Sequence, residues 1–125
     1  MNADEFRRIA LGQKDASERA HMGHPDFRVN GRIFATLHAG LQTGMVKLTP
    51  EEQQEFIARN PAAFSPASGA WGRGGSTVVT LNAVDHETLG EAMTLAWRAC
   101  AATPARPSRP ARQVAARKGG GSRRR

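Results

Sequence analysis

The chain has 125 residues, enough for one domain around one hydrophobic core. Its formal charge of +7 favours an anionic partner, but of 18 basic residues eight lie beyond residue 103, where there is no acid, so residues 1–103 hold 10 basic against 11 acidic groups and carry a net −1. A single cysteine, Cys100, excludes an internal disulfide and a thiolate metal cluster.

The first residues, MNADEFRRIALG, carry acids early and have no long apolar run, so neither a leader peptide nor a membrane span is expected, and a soluble cytoplasmic protein is. Residues 3–11 predict a short helix, with Phe6, Ile9 and Ala10 on one stripe and Gly12 as the stop. The polar run QKDASERA, residues 13–20, predicts a loop.

Asn30-Gly31 then predicts a two-residue hairpin turn, because both positions of that turn need positive φ. Strict alternation from this turn pairs Val29 with Arg32, Arg28 with Ile33 and Phe27 with Phe34. It puts Phe27, Val29, Phe34 and Thr36, with Arg32 near the turn, on the core face and Arg28, Ile33, Ala35 and Leu37 on the other. The second strand is apolar on both sides, so the opposite face is expected to be partly covered as well.

Residues 38–44 break the pattern, and Met45–Leu48 predicts a short strand carrying Lys47. Thr49-Pro50-Glu51-Glu52 is a helix start with a capping box and proline at the first helical position, and Asn60-Pro61 ends that helix near Arg59. Residues 60–76 predict a long connection containing Phe64 and Trp71, and Thr77–Asn82 a strand. Asp85 caps a last helix with Leu89, Ala92, Met93, Ala96, Trp97 and Cys100 on one face. Phe27, Phe34 and Trp97 are the expected centre of the core. The domain is expected over residues 1–103. Residues 104–125, rich in Arg, Pro and Gly and poor in large apolar side chains, are expected to form a disordered basic tail. The order of elements predicts an α+β fold with helices packed on one face of an antiparallel sheet.

Five segments in order carry a wider likeness: His24-Pro25 with Phe27-Arg28-Val29; Gly31-Arg32-Ile33-Phe34-Ala35-Thr36-Leu37; Lys47-Leu48-Thr49-Pro50-Glu51-Glu52-Gln53; Trp71-Gly72-Arg73; and Val84-Asp85. They keep their order, and the chain so read resembles, over roughly residues 3–102, the MmcQ/YjbR family of small bacterial proteins. The resemblance implies a fold like that of the frataxin/CyaY group, a double-wing architecture with two helices against an antiparallel sheet. It also implies DNA binding through a pair of wing-like hairpins, and brings no catalytic residues with it. Frataxin-like iron binding needs an acidic ridge on the first helix, whereas here Asp4 and Glu5 stand beside Arg7 and Arg8.

No metal or cofactor is expected. His21 and His24 are three apart, but Gly23 and Pro25 argue against a helix that would bring them to one side, and in one extended strand they would point to opposite faces. No nucleophile, base and orienting group form a pattern, so the protein is not expected to be an enzyme. Gly74-Gly75-Ser76 precedes a strand rather than a helix and is a weak phosphate-loop signal.

The candidate nucleic-acid contacts in the body are Arg28, Arg32, Lys47, Trp71 and Arg73, the indole as a stacking platform and the cations for phosphate. The tail adds Arg106, Arg109, Arg112, Arg117, Lys118, Arg123, Arg124 and Arg125, enough charge to neutralise phosphates without a fold. The leading expectation is therefore a non-enzymatic nucleic-acid-associating protein, with DNA the possible partner mainly through the tail. The alternative is a module that binds protein or a small ligand through its sheet face or the 60–76 segment.

Overall fold

The computed structural model, which describes residues 1–21, 23–38, 40 and 42–102, has four helices and six strands among them. α1 (Ala3–Leu11) leads into β1 (Ser17–His21), β2 (His24–Val29), β3 (Arg32–Leu37) and β4 (Thr43–Lys47). Then follow α2 (Pro50–Arg59), β5 (Phe64–Pro66), α3 (Gly69–Arg73), β6 (Ser76–Thr80) and α4 (His86–Ala101). The strands form one antiparallel sheet in the order β1-β2-β3-β4-β6-β5. The expected α+β architecture is present.

Local chemistry explains the helix starts. Asn2 and Thr49 each accept from the third residue of their helix, Glu5 and Glu52, whose carboxylates return the bond to the cap amide. Asp85 accepts from the Thr88 amide, and this hydrogen bonding holds its carboxyl below the usual aspartate range. All three starts fall where the sequence places them.

The turn between β2 and β3 is built as expected, with φ of 55° at Asn30 and 73° at Gly31. The Asn30 side chain also donates to the Ala101 carbonyl at 3.0 Å, so the turn satisfies an end of α4 that has no helical partner. Gly31→Val is expected to cost about 1–3 kcal/mol in urea unfolding, because a β-branched side chain resists positive φ. An unchanged midpoint would exclude this turn type.

Beyond the turn the register departs from strict alternation. Val29 pairs with Arg32 and Arg28 with Ile33, but Phe27 pairs with Ala35 and Asp26 with Thr36. One extra residue, Phe34, is accommodated in β3 as a bulge. The bulge corrects the expected faces: Phe34, Ala35 and Leu37 are all buried with Phe27 and Val29, while Thr36 turns to the opposite face with Asp26.

The core lies between one face of the sheet and α1, α2 and α4. Phe6 of α1 lies against Gly44, where a β-carbon would come within 2.8 Å of the ring, and Gln53 of α2 donates to Thr77 Oγ1. Gly44 and Val46 pair with Val79 and Thr77, so both contacts mark one face. α4 adds Leu89, Ala92, Met93, Ala96 and Cys100. Trp97, expected in the core, is half-buried at its margin instead. Its indole N–H reaches the Lys14 carbonyl at 2.8 Å, and a ring that keeps a polar edge at the surface avoids burying an unpaired donor.

Two expected loops contain structure. Residues 17–21 form the edge strand β1, whose residues 17–20 are exposed. Its Glu18 binds Arg7 of α1 at 3.0 Å. The 60–76 connection contains β5 and α3; Phe64 packs on Phe56 with ring centroids 5.3 Å apart. The tail and its expected disorder lie outside the described residues.

Candidate functional site

The sheet face turned away from the core helices is assembled rung by rung. Thr36 pairs with Met45 and Met45 with Val78, while Lys47 pairs with Ser76. These residues alternate with the buried Val46, Thr77 and Val79 and so point the other way. The bulge is what puts Thr36 here.

A cavity of about 460 Å³ opens on this face. Ile33, Thr36 and Met45 supply its floor, Ser76 and Lys47 one side, His24 and His38 another, and Trp71 of α3 a wall. His38 lies beside Thr43 at the start of β4, its Nδ1 2.9 Å from Thr43 Oγ1. Lys47 is four residues along that strand, roughly 13 Å away. α3 straddles the sheet edge, since Gln53 of α2 holds the Gly72 carbonyl at 3.0 Å from the core side while the adjacent Trp71 lines the open face. Trp71 is 73% exposed. A smaller cavity of about 250 Å³, lined by Arg28, Gly31, Arg32, Ile33, Lys47 and Cys100, adjoins the first and shares Ile33 and Lys47 with it.

Among the described residues lining the two cavities there is no carboxylate. The cations differ in how available they are. Arg28 grips the fully buried Asp26 with both ends of its guanidinium, at 2.7 and 3.1 Å, and this hydrogen bonding raises its pKa. Its charge is thus largely offset. Lys47 is exposed, and no ion pair to it occurs among the described residues. Arg32 Nε is buried without a hydrogen-bond partner among those residues. Burial lowers the pKa of His38, and the neighbouring His24 lowers it further.

Of the sequence-predicted body residues, Arg28, Arg32, Lys47 and Trp71 therefore line two adjoining cavities; Arg32, which pairs with the core-facing Val29, stands at the turn end of the sheet near Cys100 of α4 rather than on the open face. Arg73 does not line either cavity; it is exposed at the end of α3, two residues beyond Trp71. The eight tail cations lie outside the described residues. Thr36, His38 and Met45 are site residues that the sequence does not single out, while His24 and Ser76 enter it only through a metal pair that is not expected and a weak phosphate-loop signal. The expected separation of His21 and His24 assumed one continuous strand, whereas a turn between β1 and β2 makes them partners in register. The face can offer a hydrophobic floor, hydroxyl and imidazole hydrogen bonds, an aromatic wall and positive charge.

A family model described as YjbR matches residues 11–99. No curated protein matches the chain significantly. Two crystal structures share its fold. One is a Deinococcus radiodurans protein with a domain of the family DUF419, 22% identical, covering 74% of this chain and 72% of its own, with a TM-score of 0.61. The other is a Pseudomonas syringae protein, 15% identical, covering 80% of this chain and 99% of its own, with a TM-score of 0.64.

Proposed function

The chain belongs to the YjbR family, and from that premise we propose that it is a non-enzymatic, nucleic-acid-associating protein of the cytoplasm. The observation that carries this reading is the open sheet face with Lys47 and an exposed Trp71, together with the adjoining cavity that holds Arg32, neither with an acid among its described lining residues. The DNA-binding role implied by the family resemblance agrees with it. So does the tail, whose eight basic residues stand against no acid. No helix among the described residues is long and apolar enough to cross a membrane.

Magnitudes divide the work between the two parts. The body carries net −1, and the pairing of Arg28 with Asp26 leaves it few available cations. The tail therefore supplies most of the affinity, through counterion release, and the body contributes orientation and selectivity.

Binding of mixed DNA fragments by the full chain and by a variant ending at Thr103, across a salt series, tests this. The full chain should show a log–log salt slope of about −0.9 per phosphate neutralised, with little sequence preference. The shortened chain should lose most of the affinity. Affinity retained by the shortened chain but abolished by removing Arg32 or Lys47 would make the body the main reader. Absence of binding by either at low salt would reject nucleic acid as the partner and favour the alternative, a module for protein or a small ligand.

A further inference from the structure

Resting on that nucleic-acid reading, we propose that the 460 Å³ cavity takes one unpaired base of a single strand, stacked on Trp71, with the adjoining phosphates at Lys47 and Arg32. Duplex DNA cannot use such a site without extruding a base, so the body discriminates by strandedness rather than by sequence.

Four observations converge. First, Trp71 is the most exposed large apolar side chain among the described residues, at 73%; Leu11 follows at 40% and lies on α1. It is fixed beside a cavity, because α3 is anchored by Gln53 through the carbonyl of the next residue. An indole so held is a stacking platform. Second, the floor beneath it is apolar at Ile33 and Met45, which suits the face of a second ring system or the sugar. Third, the polar groups around that floor are donors and acceptors of the kind that meet base edges: the hydroxyls of Thr36 and Ser76 and the imidazoles of His24 and His38. With Nδ1 of His38 engaged by Thr43 Oγ1, its Nε2 is the ring nitrogen left for a base edge. Fourth, charge is complementary at one side only. Lys47 belongs to both cavities, and Arg32 lies in the smaller one with a buried Nε that has no protein partner among the described residues. A phosphate there would meet two cations, with no acid among the described lining residues.

The groove between α2 and α4 is the competing cavity. Glu55 and Glu91 line it alongside Arg59 and Arg98, and Arg59 is closed on Glu91 at 2.6 Å, so its charge is internally matched.

The test uses the full chain, tryptophan emission, and three probes at equal salt: a thymidine oligonucleotide, a duplex of the same length, and the mononucleotide dTMP. The single strand should quench Trp71 and bind about tenfold or more tightly than the duplex, as expected for a stacked base. Trp71→Ala should remove the quench and that preference. Trp71→Phe should retain most of the preference. Both variants alter an exposed side chain and should melt like the parent. Lys47→Ala should lower the single-strand salt slope by about 0.7, the value for one phosphate on a single strand.

Equal binding of strand and duplex with Trp71 unquenched would overturn the proposal and leave nucleic-acid association through the tail intact. Quenching by dTMP without quenching by the strand would overturn it in favour of a free-nucleotide pocket. Failure of both strand and duplex to bind would overturn it together with the reading on which it rests.

Discussion

Phe34→Ala should lower the stability of the protein by about 3–5 kcal/mol, measured from urea unfolding with linear extrapolation. Phe34 is fully buried, and it sits at the bulge where β3 turns two successive residues, Phe34 and Ala35, into the core. Truncation there removes the whole aromatic ring from a region bounded by two strands and α4, and the backbone cannot easily close the void. The neighbouring substitution is the control. Ile33 is half-buried and faces the open side, so Ile33→Ala should cost only about 1–2 kcal/mol. Equal losses at the two positions would mean that the bulge does not sort the side chains as described.

That bulge marks the boundary of what was legible in the sequence. Elements whose start is fixed by local chemistry were readable: the caps at Thr49 and Asp85 and the Asn30-Gly31 turn act over three or four residues and stand where expected. Faces that depend on register were not. In Ile33-Phe34-Ala35 three apolar residues follow one another, which strict alternation cannot bury together; the extra residue in β3 resolves the conflict, and no local signal says on which strand it falls. The same shift hid Thr36, which reaches the open face only through it.

β1 escaped notice for a different reason. SERAH buries no apolar side chain that could leave a period in the sequence, and at an edge its charges oppose further pairing. Arg28, Arg32, Lys47 and Trp71 were legible as residue types suited to nucleic acid. The buried carboxylate that offsets Arg28 was not, since Asp26 reads as one more surface acid until β1 and β3 flank it.

Gly75→Ala should be about as damaging as Phe34→Ala, near 3–5 kcal/mol, and should weaken the open face with it. Gly75 has φ of 112°, outside the region that residues with a β-carbon adopt, and an added β-carbon would lie 1.9 Å from the Leu48 carbonyl oxygen. The obstacle is backbone, which cannot swing aside as a side chain can. Gly75 also accepts from the Leu48 amide at 3.3 Å and from the Thr77 hydroxyl at 2.8 Å, and its own amide donates to the Gly72 carbonyl at 3.0 Å. Displacing it therefore disturbs the end of β4, the start of β6 and the last turn of α3 together, and α3 is what holds Trp71 at the cavity. The same chemical change at Gly90 makes the comparison. Gly90 lies within α4 and has open space where a β-carbon would go, so Gly90→Ala should stabilise by about 0.5–1 kcal/mol through helix propensity alone. Opposite signs at the two glycines would confirm that close backbone approach, rather than loss of glycine as such, sets the cost at position 75. A loss below about 1 kcal/mol for Gly75→Ala would mean that α3 and β6 can move apart freely, and Trp71 would then have no fixed position over the sheet.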